Sequence, residues 1–374
     1  MAEGFSLADQ IFNADSVADL ASEFAGAISG FDTAAFEAEV LSGFAEREFM
    51  ARIDWIADCL EGWLAADFPT MADQLQSAMV APLDPTKKDD DFGRFIHTIP
   101  GVMAVRHGLE DHRDRALDLL YEATKRFSME FYIRPFINRW PEETLARLAE
   151  WAKDENYHVR RLVSEGTRPK LPWAKKINIE VETPLPFLDL LHADDARFVT
   201  RSVANHLNDI AKLDPDAVIR CLAKWASEKR QNSKELTWMT KHALRTLIKQ
   251  GHPEALALLG YRADAPVNLE RLSVAADQIQ AGDAIEFEFA LSATERSPVI
   301  VDYLIYFQRK DGSQSPKVFK LKQAVIAAGK ALEFSKTHKL KANATTFRLY
   351  PGQHRLAVQV NGRVLGEVAF ELTV

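Results

Sequence analysis

Asp154-Glu155-Asn156-Tyr157-His158-Val159-Arg160-Arg161-Leu162-Val163 is the stretch that decides how this chain is read. Its Asp154, Val159, Arg161 and Val163 return forty positions later as Asp194, Val199, Arg201 and Val203. A further shift of the same size brings Met239, Lys241 and Ala243 to the last three positions. An aspartate followed by an apolar-x-basic-x-apolar helix, at a period near 40, fits the HEAT class of helical repeat, in which each unit buries its apolar face on its neighbours. Chance matches between amphipathic helices are the plainer explanation. The repeat reading matters because it returns a cation to one helix face three times, and a column of cations can follow a phosphate backbone.

Outward from this stretch, two periodicities divide the 374 residues. Up to about residue 262 the apolar spacing is helical, as in Phe49, Ile53, Ile56, Leu60 and Leu64, and glycine and proline fall between such stretches, as at Gly251-His252-Pro253. After about residue 268 the pattern alternates. Ile285, Phe287, Phe289 and Leu291 point one way, with Glu286, Glu288 and Ala290 between them. Short runs follow at Val299–Phe307, Lys317–Lys322, Thr345–Leu349, His354–Val360 and Val364–Val374, separated by Asp311-Gly312, Pro351-Gly352 and Asn361-Gly362. Such spacing predicts an antiparallel sandwich, and Asn-Gly between two apolar runs predicts a hairpin. The expected organisation is an all-α HEAT-like solenoid over residues 1–265 followed by an all-β sandwich over 266–374.

Composition bounds the rest. A chain that is 47% hydrophobic and 27% charged is globular, and Cys59 and Cys221 form no CxxC pair that would suggest a disulfide framework or a cysteine zinc site. No signal peptide is evident and no apolar run approaches the roughly 20 residues of a membrane span, so the expectation is a cytoplasmic protein with no membrane partner. The net charge of −8 argues against nucleic acid only as an average. Residues 1–91 hold 4 Lys/Arg against 19 Asp/Glu, residues 125–176 hold 12 against 7, and residues 301–374 hold 12 against 5. Charges act over a screening length of about 8–10 Å, so an anionic partner can meet the middle and C-terminal parts.

Phosphate-loop, nucleophile-elbow, zincin and dinucleotide-binding motifs are missing. His107 and His112 lack a defined third ligand, so the reading takes no metal and no cofactor. Three segments stand out instead: Ser128–Ile137, Tyr157–Trp173 and Arg201–Lys212. Each sets a carboxylate among apolar helix residues and near cations. Arg161 and Glu165 are four apart and share a helix face. That helix must stop near Gly166, and Pro169 and Pro172 then hold an extended path presenting Trp173, a geometry suited to stacking. The plainer readings are a structural salt bridge or cap for each carboxylate, a core aromatic for Trp173 and a solvated face for any single cation.

SMEFYIRPFI, VRRLVSEGTRPKLPW, RSVANHLNDIAK and HALRTLIKQGHPEALALLG, in that order, resemble the AlkC branch of the AlkC/AlkD alkylpurine DNA glycosylases over most of residues 1–262. The family is built from HEAT-like repeats, and some AlkC members carry a C-terminal immunoglobulin-like domain, which the alternating region resembles. The resemblance implies a monofunctional glycosylase acting on alkylated double-stranded DNA, with cationic bases such as N3-methyladenine and N3-methylcytosine as leaving groups. It implies that Glu130, Glu165 and Asp209 form the acidic set beside the developing sugar cation and that Trp173 contacts the sugar or base. It also implies a grip on the backbone with the lesion left largely in the duplex. Arg160, Arg161, Arg168, Lys170, Arg201, Lys241 and Arg245 are then the candidates for phosphate contacts. A curved clamp needs no symmetry partner, so a monomer without an obligate protein partner is expected, used at the nucleoid. A non-catalytic repeat scaffold and a protein that recognises damaged duplex without cutting it are the competing readings.

Overall fold

The computed structural model describes residues 6–89, 91–341 and 348–373. Two compact units divide the described chain, the first comprising residues up to Ala217 with Lys224–Met239, the second Val218–Ala223 with Thr240–Val374.

Among the described residues the regular structure before residue 260 is helical. Its α-helices are α1 (Leu7–Ile11), α2 (Ala14–Ala27), α3 (Thr33–Ser42), α4 (Phe49–Glu61), α5 (Phe68–Ser77), α6 (Ile99–Met103), α7 (Arg113–Thr124) and α8 (Ile133–Arg139). They continue as α9 (Pro141–Trp151), α10 (Tyr157–Gly166), α11 (Leu185–Leu191), α12 (Arg197–Ile210), α13 (Pro215–Glu228), α14 (Ser233–Ala243), α15 (Arg245–Gln250) and α16 (Pro253–Leu258). None is long and apolar enough to cross a membrane. Several start on side-chain caps: Asn13, Asp32, Asp67, Asn156 and Asp214 each accept from a backbone N–H of the first turn, which satisfies a donor the helix itself cannot.

The forty-residue register has a physical counterpart. Asp154 Oδ1 accepts from the Asn156 N–H at 2.8 Å, just before α10, and Asp194 Oδ1 accepts from the Ala196 N–H at 2.9 Å, just before α12. Val159 and Val163 on α10, and Val199 and Val203 on α12, are fully buried where these helices pack on each other. Each such side chain contributes about 1.5–3 kcal/mol by leaving water. The α12 start has no side-chain cap. The Phe198 N–H donates instead to the Lys88 carbonyl at 3.0 Å. Beside this bond Lys88 pairs with Asp195 and Asp89 with Arg201, while Asp90 lies outside the described residues.

In the second unit the strands are β1 (Val267–Val274), β2 (Gln278–Gln280), β3 (Ala284–Ala293), β4 (Ser297–Gln308), β5 (Gln314–Ile326), β6 (Lys330–Lys339), β7 (Gly352–Val360) and β8 (Arg363–Thr373). They form a sheet ordered β1-β3-β6 and one ordered β2-β8-β7-β4-β5, antiparallel except for the short β2–β8 pair. Ile285, Phe287, Phe289 and Leu291 join Val301, Tyr303, Ile305, Leu356 and Val358 in one shared core. Ala290 departs from the alternation and is buried too. Of the expected run Thr345–Leu349, positions 345–347 lie outside the described residues, and the other two belong to no strand.

Asn361-Gly362 turns β7 into β8 with positive φ at both residues, the geometry a two-residue hairpin needs. The Asn361 side chain accepts from the Ile300 N–H at 2.8 Å and donates to the Arg262 carbonyl at 2.9 Å, which ties this turn to the start of the sandwich.

Candidate active site

Glu130 sits in the turn between α7 and α8, Glu165 in the last turn of α10, and Asp209 in the last turn of α12. Two arginines connect them. Arg161 Nη1 donates to Glu130 Oε2 at 2.8 Å and to Ser128 Oγ at 3.0 Å, and its Nη2 lies 3.6 Å from Glu165 one helical turn on. Arg168 donates to Glu165 and, through Nε and Nη2, to Asp209 Oδ2 at 2.9 and 2.8 Å. The order is Glu130–Arg161–Glu165–Arg168–Asp209, an alternating line of charge built from three separate segments of the chain.

Other groups complete it. Ser202 Oγ donates to Glu165 Oε2 at 2.6 Å, with Ser164 Oγ 2.9 Å from it. Lys212 donates to the second Asp209 oxygen at 3.0 Å. The Arg161 guanidinium lies 4.3 Å over the Phe198 ring, an added cation–π restraint. Glu165 and Asp209 are 5% and 3% exposed. Burial alone would push the Glu165 carboxyl up, but the charges of Arg161 and Arg168, with the Ser202 hydroxyl, hold it below the usual value for a glutamate. It is ionised at neutral pH. His206, fully buried on α12, is neutral: burial drives its imidazole down to about 3, and Arg168 adds to the effect.

Trp173 is no core residue. It is 67% exposed, holds φ +62° beyond Pro169 and Pro172, and leans on Phe49 with ring centroids 5.5 Å apart. Phe49 in turn packs on Phe95, at 4.8 Å. One indole face thus rests on an aromatic base, and the side chain stands in solvent on a left-handed backbone that L-residues adopt at a penalty of about 1–2 kcal/mol.

The basic candidates separate into groups. Arg161 and Arg168 belong to the line of charge. Arg160 does not; it donates to both oxygens of Asp194, at 2.6 and 2.8 Å, and to the carbonyls of Asp154 and Glu155, tying together the segments that start α10 and α12. Arg201 pairs with Asp89 at 2.9 Å. Lys170 is exposed and borders a cleft with Lys176, Ile177 and Leu213. Lys241 and Arg245 belong to the second unit, Lys241 exposed and Arg245 donating to the His242 carbonyl. Of the other pair of histidines, His107 contacts Glu61 and His112 packs on Phe68.

Sequence reasoning missed the contacts of Ser128, Ser202, Lys212 and Phe49. Ser128, Ser202 and Lys212 lie within the segments already singled out, Ser128 two residues from Glu130 and Lys212 one turn from Asp209, whereas Ser202 meets Glu165 across 37 positions. Phe49 carried only the helical apolar pattern and nothing that points to the site, because its approach to Trp173 is purely tertiary.

Comparison with known proteins yields a consistent set of likenesses. A family model described as DNA alkylation repair enzyme matches residues 122–247, which hold every carboxylate and arginine of the line of charge. A second, described as the C-terminal Ig-like domain of the uncharacterised protein YhaZ, matches residues 268–374. The uncharacterized protein YhaZ of Bacillus subtilis (strain 168) is 34% identical over 264 residues, 70% of this chain and 72% of that protein. The solved structure of Pseudomonas fluorescens alkylpurine DNA glycosylase AlkC bound to DNA containing an abasic site analog superposes with a TM-score of 0.82 at 32% identity, covering 99% of this chain and 100% of that one.

Proposed function

The chain belongs to the AlkC branch of the AlkC/AlkD alkylpurine DNA glycosylases, with a C-terminal immunoglobulin-like domain, and from that premise we propose that it hydrolyses the N-glycosidic bond of cationic alkylated bases, N3-methyladenine and N3-methylcytosine, in duplex DNA. The observation that carries the proposal is the convergence of Glu130, Glu165 and Asp209 on one another through Arg161 and Arg168.

Alkylation at N3 leaves the base positively charged and hence a good leaving group. The glycosidic bond then breaks toward an oxocarbenium-like sugar, and the protein's task is to stabilise that cation and orient a water rather than to protonate the base. Carboxylates fixed in place by arginine partners suit the task because they need little reorganisation as charge develops. Glu165 is the best placed of the three, being held as an anion despite its burial.

The arginines serve both states of the protein. Without DNA they neutralise the carboxylates. Beside a duplex, phosphate is an equivalent bidentate acceptor, and moving Arg161 or Arg168 part-way onto it exposes carboxylate charge where the sugar lies. Arg160, Lys170, Arg201, Lys241 and Arg245 are the further phosphate-contact candidates in this proposal. Trp173 offers its free face to the sugar or the cationic base at the surface, which favours a lesion left in the duplex over one turned into a pocket.

The proposed division has the glycosylase domain over 1–265 and the immunoglobulin-like domain over 266–374, in a cytoplasmic monomer that takes no cofactor. Incubation with methylated duplex tests the reaction: the expected products are free N3-methyladenine and heat-labile abasic sites. The pairing of every carboxylate with a cation also suits a protein that recognises damaged duplex without cutting it, and tight binding with no base release would establish that reading instead.

A further inference from the structure

We propose that Arg134 is a positioning residue of this site, closing the base of the loop that presents Trp173 and holding it in its working shape. The inference rests on the reading of Trp173 as a substrate-facing side chain.

Arg134 lies on α8, 1% exposed, and among the described residues makes no ion pair within 4.0 Å. Its guanidinium donates instead to three backbone carbonyls: Gly166 at 2.9 Å, Arg168 at 2.8 Å and Lys175 at 2.6 Å. Arg168 and Lys175 are the two stems of the loop whose tip is Pro169–Ala174, so a single side chain pinches both. Only a guanidinium presents enough donors in a fixed fork to reach three separate carbonyls.

Two neighbours extend the clamp. Asn138, one turn along α8, donates to the Lys176 carbonyl at 2.8 Å and accepts from the Asn178 N–H at 2.8 Å. Gly166 permits the close approach of α8 and α10, because a Cβ there would stand 2.5 Å from Ile133 Cγ2. The loop needs such external support: its tip holds two prolines that cannot donate and a tryptophan in the left-handed region, with the Ala174 N–H to Leu171 carbonyl bond at 3.2 Å as a turn across it.

A positional role accounts for the choice of residue. Burying a cation with no ion-pair partner in contact is unfavourable, and burial, with the nearby Arg168 charge, drives this guanidinium down to about 10 although Glu130 and Glu165 oppose the shift. Well-packed apolar replacements for buried charges are often at least as stable, so fold stability does not explain an arginine here. What it does provide is a fixed main chain at both stems of the loop that carries Trp173, Arg168 on one side and Lys175 on the other.

The test uses the full chain. In Arg134→Gln, trypsin should cut after Lys170, Lys175 and Lys176 about tenfold faster than in the wild type while sites elsewhere are unaffected, since local opening sets such rates. In Asn138→Ala, a half-exposed change that leaves the core intact, the same sites should open severalfold, which keeps the test in hand if Arg134→Gln does not fold. Base release at saturating DNA should fall about tenfold in Arg134→Gln with affinity little changed. Combined with Trp173→Ala, it should fall no further than in Trp173→Ala alone. Unchanged trypsin rates at the loop in both variants, or losses that multiply in the double variant, would overturn the proposal. If the wild type releases no base, the glycosylase reading fails, and the trypsin measurement still decides whether the clamp exists.

Discussion

Arg168 donates through both Nε and Nη2 to one oxygen of Asp209, at 2.9 and 2.8 Å, while its Nη1 reaches Glu165. One guanidinium thus compensates two carboxylates that water scarcely touches. Breaking a buried pair by removing one partner costs about 3–5 kcal/mol. Arg168→Met should lose about that much in urea denaturation, and adding Asp209→Leu should restore part of the loss by removing one stranded charge. A neutral Arg168→Met would mean that the pairing contributes nothing to stability.

Trp173 separates stability from function. Its side chain is mostly exposed and its backbone is left-handed, so Trp173→Gly relieves backbone strain while losing the contact with Phe49. The two effects oppose each other, and the melting temperature should move by no more than the equivalent of about 1 kcal/mol. Base release should nevertheless drop about tenfold or more, equal to about 1.4 kcal/mol of barrier. Retained release would remove Trp173 from the site.

Buried neutral histidines make the fold sensitive to acid. Burial lowers His158 to about 4 and His206 to about 3, from 6.5 in the unfolded chain. Between those values the unfolded state binds the proton and the folded state does not, so stability is fully present above pH 6.5 and declines as pH falls. Each histidine contributes a slope on the order of 1.4 kcal/mol per pH unit. His158→Phe should flatten the fall in urea midpoint between pH 7 and pH 5, and an unchanged slope would refute the assignment.

Phosphate contacts have their own signature. If about six of the named cations neutralise phosphates, duplex affinity should fall by about 10³-fold or more between 50 and 200 mM salt. A filter-binding titration reads this directly, and a flat response would exclude the basic surface as the grip on DNA.

The sequence carried the parts of this molecule that are local. Asn361-Gly362 announces its hairpin because positive φ at two successive residues is a chemical requirement, and Arg161 with Glu165 announces a shared helix face by spacing alone. The start of β1 at Val267 falls where Pro266 interrupts the helical pattern. What could not be read is tertiary or unpatterned. β6 has Phe334 as its single buried residue along ten positions, so no alternation of burial marks it. Glu130 and Arg161 are 31 positions apart, and Lys88 and Asp195 are 107 apart, distances over which residue type says nothing about partner. Arg134 lay in plain view in the first unusual segment. Its partners are carbonyls, which no sequence distinguishes.

Single-turnover release of N3-methyladenine from methylated duplex, compared between the wild type and Glu165→Gln, tests the central claim most directly. The account predicts base release by the wild type and retained duplex binding by the variant, with release slowed about tenfold or more. Release by Glu165→Gln at the wild-type rate would contradict it.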